Sequence, residues 1–135
     1  MHWLSLSLFT MLIFGFWGFF PKLATRYISP QSAFVYQALG SLVTALLALL
    51  FLGFRPEIQP RGMLFAFLTG VAGIAGGLLY LFAVQHGRIG VVVTLTALYP
   101  VITILLAAIF LHEPISLRQG LGMLFAVIAI ALIAA

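Results

Sequence analysis

The side chains of this chain that could recognise a small molecule share one character. Trp17, Tyr36, Gln37, Tyr80, Thr96, Tyr99 and Thr103 are aromatic or polar, carry no charge, and lie within long apolar runs. Aromatic faces stack, and hydroxyls and amides exchange hydrogen bonds. No base accompanies any of them in a pattern that would activate a nucleophile. The set is therefore suited to binding and orienting a solute rather than transforming it, and no enzymatic activity is expected. Packing or interfacial anchoring accounts for each residue equally simply, and the residues leave that open. Two further positions shape the backbone. Pro100 follows Tyr99 inside an apolar run and predicts a kink, because proline lacks the N–H of a helical bond. Glu113 lies in the turn His112-Glu113-Pro114. It is expected to accept backbone hydrogen bonds at the start of the next helix, where helix polarity favours an anion, or to pair with Arg118 or His112.

Other chemistry is missing. There is no cysteine, which excludes disulfides and thiol catalysis. His2, His86 and His112 are too scattered for a metal site. No nucleotide-binding loop is present, and no cofactor is expected. No Asp, Glu, Lys or Arg falls in the central part of an apolar run, which argues against proton exchange through an intramembrane carboxylate.

The elements that must position these groups follow from composition. The chain is 64% hydrophobic and 6% charged, whereas a soluble domain carries about 25% charged residues. Most of its area must meet lipid. The six Lys and Arg residues are scattered singly, so no nucleic-acid surface is expected and they read as loop anchors at the membrane surface. A spanning helix needs about 20 mostly apolar residues. Five segments are expected, at about 3–20, 31–54, 62–85, 89–111 and 117–135, giving an all-α membrane protein of one 1–135 domain. The first has no basic leader or cleavage pattern and reads as a retained helix rather than a signal peptide. Each carries a small or polar stripe at helical spacing, such as Ser7, Thr10 and Trp17 on the first and Thr69, Gly73, Gly76 and Tyr80 on the third. Such stripes serve either close helix packing or a polar cavity.

With five spans the two termini lie on opposite sides. Arg55, Arg61 and Arg118 fall on one side and Lys22, Arg26 and Arg88 on the other. Orientation normally follows an excess of Lys and Arg in cytoplasmic loops, and here there is none. Either copies insert both ways and pair as an antiparallel homodimer, or one weak local signal sets a single orientation.

The order of features resembles the EamA-type domain of the drug/metabolite transporter superfamily. The resemblance rests on Trp17-Gly18, the Gly-rich third helix, Tyr99-Pro100, the His112-Glu113-Pro114 turn, and Gln119-Gly120-Leu121-Gly122 opening the last helix. Typical members have two such units in inverted orientation and export metabolites, amino acids or drugs. This chain has one unit, and in that it is similar to the small multidrug resistance proteins that work as antiparallel dimers. Its first helix lacks an acidic residue matching their coupling glutamate, so their proton antiport is not implied. The resemblance implies that helices one to four surround a cavity, that Tyr99-Pro100 forms its kinked lining, and that Glu113 is a turn residue.

The resulting expectation is an integral, multi-pass protein of the plasma (inner) membrane. It would contact lipid and move a small organic metabolite or drug-like solute by alternating access, as a homodimer of ten helices. A flippase for a lipid or lipid-linked metabolite, or one half of a heteromeric transporter, are the alternatives.

Overall fold

Backbone N–H and C=O groups have no water to meet inside a bilayer, so an apolar segment must satisfy them within itself. The chain does so with helices throughout. A computed structural model describes residues Trp3–Ala134 and shows six helical segments there and no strand: α1 (Trp3–Ala24), α2 (Pro30–Phe51), α3 (Pro60–His86), α4 (Ile89–Thr96), α5 (Tyr99–Phe110) and α6 (Leu117–Ala134). His2 and Ala135 lie outside the described residues. α1, α2, α3 and the pair α4–α5 are each long and apolar enough to cross a membrane, while α6 holds a shorter apolar stretch, Leu117–Ile133. Its 18 residues rise about 27 Å at the usual 1.5 Å per residue, close to a hydrocarbon core of about 30 Å.

The termini of these helices are written locally. Ser29 caps α2 by accepting from Ser32 N at 3.3 Å, with Pro30 in the first turn, where a missing N–H costs nothing. The other end of α2 closes through Gly53 at φ 57, with Gly53 N donating to Leu50 O and Phe54 N to Leu49 O. That is the glycine-dependent Schellman closure. At the start of α3, Gly62 N donates to Gln59 Oε1.

Two helix ends differ from the sequence reading. α1 does not stop before Pro21 but continues through it to Ala24. Only the bond to the Trp17 carbonyl is lost to the proline. Thr25 recovers the end of the helix, its N and Oγ1 both donating to Pro21 O, at 3.0 and 2.9 Å. The fourth span is broken rather than kinked at Pro100. α4 ends at Thr96, Ala97 and Leu98 form a turn, and Pro100 lies in the first turn of α5. A proline acts on the residues before it, because its ring opposes the preceding turn. Val101 N donates to Leu98 O at 3.0 Å and so leaves Ala97 O without its helical donor.

Contacts divide the chain between His86 and Gly87 into two units. In the first, α1, α2 and α3 pack on one another. Its buried residues are Gly18 and Pro21 of α1, Pro30 and Ala33 of α2, and Gly77, Tyr80, Leu81 and Val84 of α3. They gather at one end, where α1 finishes, α2 begins and α3 finishes. The opposite ends stand open, with Trp3 70%, Phe65 67% and Phe51 92% exposed. In the second unit α4 packs on α6.

Candidate functional site

α1 and α3 run parallel in the first unit, tied by two bonds of identical register. Tyr80 Oη donates to Gly18 O at 2.7 Å, and one turn further along both helices Lys22 Nζ donates to Val84 O at 2.5 Å. Residues four apart share a helix face, so one face of each helix supplies both bonds. The indole of Trp17 covers the Tyr80 ring, with centroids 5.3 Å apart and planes at 32°. Offset, tilted rings of this kind attract beyond their area burial.

α2 adds an amide to the same neighbourhood. Gln37 is half-buried, and its side chain occupies space that only a glycine leaves open: a Cβ on Gly77 would lie 2.6 Å from Gln37 Nε2. Gly77 is one turn before Tyr80 on α3, so Trp17 from α1 and Gln37 from α2 meet α3 within one turn of each other. Tyr36 does not join them and is 67% exposed.

In the second unit the polar groups are more self-contained. Thr96 Oγ1 is within bonding distance of Val92 O and Val93 O, at 3.0 and 2.9 Å, and Thr103 Oγ1 donates to Tyr99 O at 3.1 Å. Their protons face their own helix, which leaves each hydroxyl able only to accept from a solute. Tyr99 is largely exposed. Pro100 lines an apolar cleft of about 290 Å³ with Ala97, Val101 and Ile104 against Gln119, Gly122, Met123 and Ala126. Thr103 and Glu113 share a second cleft of about 210 Å³. His112, at φ 54, ends α5, and Glu113 N reaches back to Ala107 O at 3.4 Å.

Two expected roles are corrected. The cap of α6 is made by Ser116 and Gln119, not by Glu113. Ser116 N donates to Gln119 Oε1 at 2.8 Å and Gln119 N to Ser116 Oγ at 3.3 Å, the reciprocal capping box of an S-x-x-Q sequence. Glu113 lies before it on the cleft wall. Lys22 is not a loop anchor. It belongs to the last turn of α1, is half-buried, and reaches across to α3. A basic residue in the last turn was the available signal, but its acceptor is a backbone carbonyl that no residue type reveals. Among the described residues no group of His, Cys, Asp and Glu could hold a metal ion.

The EamA-like transporter family matches residues 1–135. The chain belongs to that family. As a single EamA unit with long apolar helices, it is an integral, multi-pass membrane protein of the drug/metabolite transporter type. This EamA-like chain is 26% identical to an uncharacterized protein of Methanocaldococcus jannaschii over 128 residues, 95% of this chain and 93% of the relative. No solved structure matches it significantly.

Proposed function

We propose that this EamA-like protein moves a small, uncharged or zwitterionic organic solute across the plasma (inner) membrane by alternating access, as an antiparallel homodimer of dual topology. The observation that carries the reading is that Trp17 from α1 and Gln37 from α2 meet one turn of α3, at Tyr80 and Gly77. Such a cluster offers a stacking face and an amide but no charge, which suits a neutral solute better than an ion. The balance of Lys and Arg across the two faces supports insertion both ways up. The packing of the first unit at one end only, with apolar helix halves open at the other, supports a second copy as neighbour. An inverted copy would supply the opposed repeat that many transporters contain within one chain.

The test is reconstitution into lipid vesicles with a panel of radiolabelled neutral and zwitterionic solutes. Accumulation of one solute class, and its loss in Trp17→Ala and Gln37→Ala proteins that insert normally, is the expected result. Failure to move any of the panel, with thermal stability indifferent to every solute, overturns the reading. A flippase reading has its own support in the apolar cleft beside the α4–α5 break. Tightly bound lipid after purification, competing with no water-soluble solute, would favour it.

A further inference from the structure

Two hydrogen bonds, from Tyr80 to Gly18 O and from Lys22 to Val84 O, join α1 to α3 at the packed end of the first unit. Both acceptors are backbone carbonyls, so neither bond holds a side chain of the opposite charge. Val84 is among the last residues of α3, whose carbonyls have no helical donor. Lys22 provides one, and its ammonium also complements the negative end of that helix. Being at the end of α1, it can exchange this carbonyl for water at the membrane boundary, as long basic side chains do. Tyr80 lies one turn deeper, further from the water side.

Pro21 falls after Gly18 and before Lys22, and it denies the Trp17 carbonyl its helical donor. The last turn of α1 is thereby less tightly held to the rest of its helix. Behind the bonds, Leu81 and Val84 are 1% and 0% exposed and seal the contact. Beyond them, towards the other face, all three helices are open.

We propose that Lys22 and Tyr80 are the two bolts of a gate that shuts the solute path at the face where α1 and α3 end. Release of Lys22 from Val84 O swings the last turn of α1 about Pro21, Tyr80 then frees Gly18 O, and the path opens to that face. The proposal rests on the transport reading. In an antiparallel pair the two gates face opposite sides of the membrane, so a single-unit chain has a gate for each.

The chain contains no cysteine, so Val84→Cys places one thiol behind the gate and leaves the Val84 carbonyl in place. The experiment follows maleimide labelling of purified protein in lipid nanodiscs, where both faces are accessible. Slow labelling is expected in the Val84→Cys protein. It should rise at least tenfold when Lys22→Met is added, rise less with Tyr80→Phe, and return towards the slow rate with Lys22→Arg, which keeps a donor. Ala33→Cys, on the α2 side of the core, reports unfolding and should label slowly in every background. Equal Val84→Cys rates in all backgrounds, or a parallel rise at Ala33→Cys in both the Lys22→Met and the Tyr80→Phe backgrounds, overturns the gate. The rates are read without any solute, so a lack of transport beside a responsive gate would overturn the transport reading alone.

Discussion

Gln37 on α2 fits against Gly77 on α3 so closely that a methyl group on Gly77 would lie 2.6 Å from the Gln37 amide nitrogen. A separation under ordinary contact distance means that an alanine at position 77 would push the flexible Gln37 amide aside, whereas Gly70, Gly73 and Gly76 on the same helix meet nothing within 4 Å.

Gly77→Ala is therefore expected to turn the Gln37 amide aside, and because that amide is the far end of a flexible side chain the net change in stability should stay within about 1 kcal/mol. Adding Gln37→Ala removes the contact, so the double variant should show only the helix preference for alanine at position 77. Gly73→Ala has room and should be neutral or stabilising by up to about 1 kcal/mol, the helix preference for alanine. Thermal unfolding in detergent checks all three. A loss at Gly73→Ala that appears only in bilayers would reveal a second copy on that face.

Pro100→Ala restores the N–H that the Thr96 carbonyl lacks. α4 and α5 should then join more nearly into one helix, with higher helicity and an unchanged or higher unfolding temperature. If the break supplies mobility, solute flux should fall severalfold at the same time. Circular dichroism and vesicle flux measured on one preparation separate the two effects.

Ser116→Ala removes the acceptor that caps α6 and should cost about 1 kcal/mol. Glu113→Gln should change stability by less than about 0.5 kcal/mol, because the cap does not use it. Chemical denaturation of the two variants beside the parent decides which residue closes the turn.

Arg88→Ser leaves Arg55, Arg61 and Arg118 opposed by Lys22 and Arg26 only. A C-terminal reporter should give signal from both sides of the membrane in the parent. In the variant it should move towards the orientation that keeps the three arginines cytoplasmic. A parent signal from one side alone would remove dual topology.

Much of the fold is legible along the chain because its causes are local. Apolar runs of spanning length predict the helices, Ser29-Pro30 and Ser116 to Gln119 carry their own starts, and Gly53 its own stop. Pro100 announces a disturbance in the fourth span, but the turn forms before it, at Ala97 and Leu98, because a proline ring constrains what precedes it. Pro21 shows the opposite limit. The same residue type reads as a terminator, yet the helix runs through it, since near a helix end only one bond is lost.

The residues alone determined that this chain lives in a bilayer, that its polar groups are uncharged at the centre of the spans and charged only near their ends, and that it carries the features of one EamA unit. Only the tertiary structure decided which of those groups meet. Tyr80 finds Gly18 and Lys22 finds Val84, each pair 62 positions apart in sequence, because α1 and α3 adopt one particular register. Stripes of small and polar residues on these helices serve packing or a cavity alike, so they do not state which face turns inward, and lipid supplies no hydrophobic force to select it. Register there is set by close backbone approach and by hydrogen bonds to carbonyls. Those carbonyls are common to every residue type and so leave no mark in the sequence.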